Sequence, residues 1–149
     1  MKKFFLSCLF LITSFFAFAE DDFFCVPTNI DMLTCALYLQ EEGLELQKFS
    51  DNKVILTGKL ALNDNIATAR LVSAEFDEDE ILKNIFLVVE IENPVTLINY
   101  MKQNFNLTLV NFYSENGRAV LEYYTSENNI VEVGFYKDDK SLCVCYSKN

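Results

Sequence analysis

Eight short runs rich in aliphatic, β-branched and aromatic residues, separated mostly by turn-forming Asn, Asp, Ser and Gly, set the tightest limit on what this chain can fold into. They are Leu44–Phe49, Val54–Leu60, Ile66–Ala74 and Ile81–Ile91, then Leu107–Tyr113, Arg118–Tyr124, Ile130–Tyr136 and Leu142–Tyr146. Runs of this length with such short connections pair with their sequence neighbours, so a largely antiparallel sheet is expected. Asn116-Gly117 is the strongest hairpin signal. The stretch Ile85-Phe86-Leu87-Val88-Val89 is apolar in both parities and reads as a central strand. A helical period precedes each set of four: Ile30, Leu33, Ala36 and Leu37 after a cap at Pro27-Thr28-Asn29, ending at Gly43, and Leu97, Ile98, Met101 and Phe105 after Pro94. The expected fold class is α+β, with two helix-plus-four-strand units, 29–92 and 93–147, sharing a largely antiparallel sheet with the helices on one face. A gap-free shift of 64 residues gives five identities between the halves, Leu33 with Leu97 among them. Shared turn chemistry accounts for most of these, so the order of elements carries the reading.

The N-terminus predicts export. Lys2 and Lys3 precede an uncharged apolar run from Phe4 to Phe16 that closes with Ala17-Phe18-Ala19, the layout a signal peptidase cuts. Residues 1–19 are the expected signal peptide and 20–149 a single α+β domain, periplasmic or secreted. Cleavage removes two lysines and no acid, which moves the net charge from −10 to −12. Such a chain repels nucleic acid and anionic lipid, so neither nucleic acid nor, after cleavage, a membrane is an expected partner.

Cys25, Cys35, Cys143 and Cys145 remain after cleavage, an even number in an oxidising compartment, and are disulfide candidates. Cys143 and Cys145 are two apart on a strand, with Cα atoms about 6 to 7 Å apart and parallel side chains, a poor geometry for a mutual bond. Crossed pairing to Cys25 and Cys35 would staple the two ends of the chain, contributing on the order of 4 kcal/mol. Free buried thiols and a four-thiolate metal site are the other readings, the last lacking C-x-x-C spacing.

The inventory for chemistry is thin. The chain has no histidine and only four isolated glycines, so it offers neither the usual general base nor a phosphate loop. Asp77-Glu78-Asp79-Glu80 reads as a solvated connection, without the turn glycine or alternating ligands of a calcium loop. No catalytic residue, metal or cofactor is expected. Adjacent aromatic pairs in the last four runs must turn one ring away from the core, which makes Tyr113, Tyr124 and Tyr136 the interface candidates.

Leu39-Gln40-Glu41-Glu42-Gly43-Leu44-Glu45-Leu46, the hairpin Lys53–Leu60, and the segment from Leu97-Ile98-Asn99-Tyr100 to Tyr113-Ser114-Glu115-Asn116-Gly117-Arg118 together resemble the YbjN family of sensory-transduction regulators. That resemblance implies a fold like the type III secretion chaperones and a binding role without catalytic residues. The family's tryptophan-asparagine pair is absent, and Ser141–Ser147 reads as strand where the family closes with a helix. Tandem helix-plus-four-strand units also look like the β-lactamase inhibitor proteins. The expected function is an exported, non-enzymatic protein-binding or regulatory domain of the cell envelope, its partner another protein or a second copy of itself. A small carboxylate-dependent hydrolase and a structural envelope component are the alternatives.

Overall fold

The structure, a computed structural model, describes residues 22–24, 26–62, 66–135 and 140–149. The expected signal peptide, Cys25 and Tyr136 lie outside the described residues. A two-strand hairpin, β1 (Asp22–Phe23) and β2 (Val26–Pro27), leads into helix α1 (Met32–Glu41). Then come β3 (Glu45–Ser50), β4 (Lys53–Leu62), β5 (Ala67–Phe76) and β6 (Leu82–Glu90). Helix α2 (Pro94–Asn104) precedes β7 (Thr108–Glu115), β8 (Arg118–Tyr124), β9 (Ile130–Phe135) and β10 (Ser141–Ser147).

The eight long strands form one sheet in the order β3-β4-β5-β6-β10-β9-β8-β7, every neighbouring pair antiparallel. Each set of four is a meander, and β6 joins β10 from Glu90 opposite Ser141 to Asn84 opposite Ser147. The hairpin turn at Asn116-Gly117 has φ of +52° and +75°, the doubly positive pair that a two-residue turn between twisted strands needs.

The expected α+β class is overturned: the molecule is mostly β, with 55% of the described residues in strand against 18% in helix, on a continuous eight-stranded sheet. The sequence reading counted elements and gave the helices the weight of a layer. They are only 10 and 11 residues long and bury four and two side chains respectively, so they cover part of one face while the paired strands carry the architecture.

Alternation places the core on that one face. Val54 and Leu56 of β4, Val72 and Ala74 of β5, Ile85, Leu87 and Val89 of β6, Val144 of β10, and Val131 and Val133 of β9 are all fully buried. Met32, Cys35, Ala36 and Leu39 of α1 and Leu97 and Met101 of α2 close over them. The helix start also shifts. Asp31, not the Pro27–Asn29 segment, caps α1, its carboxylate accepting from Thr34 N–H at 2.9 Å and from the Thr34 hydroxyl at 2.6 Å. The buried stripe is displaced with it, which leaves Leu33 58% and Leu37 53% exposed. Leu33 and Leu97 therefore share a place in the sequence comparison but not in the fold. Asn93 caps α2, accepting from Val95 N–H at 3.0 Å ahead of Pro94 in the first turn.

The β1–β2 hairpin packs against the chain's other end. Phe23 stacks on Tyr146 with ring centroids 4.9 Å apart and lies 5.1 Å from Phe105, and Phe24 meets Phe105 at 5.2 Å. These offset and edge contacts are worth about 0.5 to 1.5 kcal/mol per pair beyond burial.

Candidate functional site

No described helix lies over the other face of the sheet, and its side chains form rows read directly from strand register. One row runs Thr57, Leu71, Val88, Cys143, Gly134, Val120, Tyr113. The next runs Ile55, Ser73, Phe86, Cys145, Glu132, Glu122, Asn111, and a third Lys53, Glu75, Asn84, Ser147, Ile130, Tyr124, Thr108. The middle of this open face is apolar: Ile55, Leu71, Phe86, Val88, Cys143 and Cys145 are each half-buried.

Charge sits at the ends of the strands. Lys53 Nζ lies 2.6 Å from Glu75 Oε1, while Asn84 Nδ2 donates to Glu75 Oε2 at 3.1 Å. The Lys53 hydrogen bond, helped by Asn84, holds the Glu75 carboxyl below its ordinary value. At the other end Arg70 meets Glu90 at 2.7 Å. In the second meander Arg118 crosses from β8 over β9, where a Cβ on Gly134 would stand 2.7 Å from Arg118 Cδ; the glycine is what lets the side chain lie there.

Tyr113 and Tyr124 both stand on this face, two rows apart, about 13 Å along the strand direction. They do not form a continuous ridge, because Glu122 and Asn111 occupy the row between. Tyr113 reaches across β8 from the sheet edge and donates its hydroxyl to Glu132, which helps explain how Val120 is 2% exposed on a face without a described helix. That bond, followed by desolvation, pushes the phenol up to about 12. A raised tyrosine pKa means the native state favours the neutral form. Its stabilising contribution is therefore complete below about pH 10 and is lost as pH rises towards 12. An ultraviolet ionisation titration should show Tyr113 titrating late, alongside Tyr123, which burial also raises, and Glu132→Gln should bring Tyr113 alone back towards 10; an unchanged curve in the variant would show that Glu132 does not hold it.

The cysteines divide between the faces. Cys35 is fully buried on the inner side of α1, and burial pushes its thiol up to about 12. Cys143 and Cys145 lie on the open face, and burial, reinforced by Glu132, pushes Cys145 up to about 11. No disulfide joins the three, and the sheet lies between Cys35 and the two strand cysteines; Cys25, the other partner in the expected crossed pairing, lies outside the described residues. Their raised values keep Cys35 and Cys145 protonated near neutral pH, the opposite of what a nucleophile or thiolate ligand needs.

Among the described residues no three His, Cys, Asp or Glu side chains are grouped to hold a metal. The acidic connection after β5 is already used locally: Asp77 accepts from Ile81 N–H at 2.9 Å and Asp79 N–H at 3.0 Å, and lies 3.3 Å from Lys83. Two clefts lie at the strand ends. One, of about 220 Å³, is bordered by Thr28, Asn29, Asn106, Thr125, Asn129 and Lys148. The other is bordered by Thr68, Glu90, Glu92, Asn93, Thr96 and Lys140, with Glu90 held by Arg70. Glu122 and Glu132 face each other across β8 and β9, but on the flat sheet rather than in either cleft.

No protein-family model, no curated protein and no solved structure matches this chain.

Sequence reasoning singled out the tyrosines and passed over Leu71, Phe86 and Val88. The signal was present. The Ile85–Val89 run is apolar in both parities, yet the two described helices, of 10 and 11 residues, cannot cover both faces of eight strands. No described helix is long and apolar enough to cross a membrane.

Proposed function

We propose that this chain is an exported, non-enzymatic protein-binding or regulatory domain of the cell envelope that meets another protein with the open face of its sheet. The observation that carries the reading is the apolar centre on β5, β6 and β10, with no described helix over it and with ion pairs at its ends. An apolar patch rimmed by charge is how a binding surface differs from an ordinary solvated sheet. The signal-like N-terminus and the resemblance to the YbjN family support the address and the class of role.

Partner capture from an envelope extract, followed by calorimetry with the purified partner, tests the proposal. Phe86→Ala and Tyr124→Ala should each weaken binding by about 2 kcal/mol, whereas Glu78→Ala in the exposed acidic connection should change it little. Equal affinity for all three variants, each still folded by circular dichroism, would remove the open face from consideration. The hydrolase alternative predicts instead that Glu92→Gln, in the cleft between β5, β6 and α2, abolishes turnover without affecting binding.

A further inference from the structure

We infer that β7 pairs, antiparallel and about a two-fold axis, with β7 of a second copy of this chain. The sheet ends at β3 and β7, and both edges carry a bulge, between Leu46 and Lys48 and between Leu109 and Asn111. A bulge blunts an edge against unwanted pairing, and charge in the strand blunts it further. β3 has both devices, with Glu45 and Lys48 in the strand. β7 has the bulge and a single charge, Glu115 at its last position; Leu107–Ser114 contains no charged residue, in a chain of net charge −10. Along it Leu109 and Val110 are each 51% exposed and Phe112 is 65% exposed.

Register shows that this edge complements itself. Directly opposed residues of an antiparallel pair share a face. Leu109 and Phe112 pair with Tyr123 and Leu121 and so stand on the helix side, while Thr108 and Tyr113 pair with Tyr124 and Val120 and stand on the open side. Setting Val110 opposite Asn111 of the second copy brings Leu109 against Phe112 and Thr108 against Tyr113, so parity is kept on both faces. The strand's one charge, Glu115, then falls opposite Asn106, and no carboxylate meets another along the seam. The Phe112 N–H is held in the single chain by Asn111 Oδ1 at 2.9 Å, a bond that a neighbouring strand's carbonyl can replace.

Size sets the strength. An eight-residue strand is about 27 Å long, and an edge of that length buries less than the roughly 800 Å² per partner of a standard interface. The dimer therefore forms and dissociates with concentration, and added salt strengthens it by screening the acidic bodies.

Sedimentation of the purified protein from about 1 μM to about 1 mM tests this. A dimer fraction rising with concentration is expected, with Phe112→Lys, and independently Leu109→Lys, weakening association at least about tenfold. Phe49→Lys, which alters a comparably exposed ring on the opposite edge, should leave association unchanged. Circular dichroism shows whether each variant is folded. A monomer at every concentration, a dimer indifferent to both β7 variants, or a loss as large with Phe49→Lys overturns the inference. The inference does not rest on the proposed partner: Phe86→Ala should leave the dimer intact, and Phe112→Lys should leave partner binding intact.

Discussion

Leu87→Ala is expected to lower the unfolding free energy by about 3 to 5 kcal/mol. Leu87 is fully buried on β6, with Val72 of β5 and Val144 of β10, both also fully buried, directly opposite in register. The lost methyl groups leave a hole that strands paired on both sides cannot close, so a cavity cost adds to the lost transfer energy. Against a total of about 5 to 15 kcal/mol for a domain, this removes a large fraction of the stability. Urea unfolding monitored by tyrosine fluorescence gives the value, and the same curve reports on architecture. Because β6 and β10 join the two meanders, the transition should remain a single step. A loss below about 1.5 kcal/mol would mean that the covered face is loosely packed, and two separate transitions would mean that the meanders unfold independently.

Gly58→Ala should be nearly as damaging, at about 3 kcal/mol. Gly58 sits in the irregular stretch of β4 between Thr57 and Leu60, where its φ of +151° lies in a region that residues with a Cβ rarely adopt. A Cβ there would also lie 3.0 Å from Leu44 Cδ2 and 3.3 Å from the Gly43 carbonyl oxygen, in the link from α1 to β3. Strain and crowding add because they have separate sources. Gly117→Ala is the natural comparison. Its φ is +75°, but nothing lies within 4 Å of the added Cβ, so the cost should be only about 1 kcal/mol. Equal losses at the two sites would show that the contact with Leu44 yields freely.

The strands were legible and their assembly was not. All eight expected runs become strands with ends displaced by at most two residues, because period-two alternation and turn residues are local properties. Which edges of the two meanders join is not local, and no residue in β6 or β10 marks Cys143 as the neighbour of Val88. α1 shows the same limit at smaller scale. Met32, Leu33, Cys35, Ala36, Leu37 and Leu39 make it apolar nearly all round, so its own period could not decide between the Leu33–Leu37 stripe and the Cys35–Leu39 stripe. Packing against β3 and β4 decided it. The apolar centre of the candidate site was missed for a related reason: apolar residues in both parities marked Ile85–Val89 as a central strand, but only the lengths of the described helices show how much of the sheet they leave uncovered.

The contact of Phe23 with Tyr146 joins residues more than a hundred positions apart, and sequence separation of that kind sets the pace of folding. Each meander can form early from neighbouring hairpins. The last part of the core cannot close until both the first described strand and β10 are present, because Phe23 needs the ring that β10 carries. A late, slow phase that Phe23→Ala removes from the folding kinetics is the expected signature. With export as proposed, the β1–β2 hairpin would find its packing partner only after the C-terminal strand had also emerged.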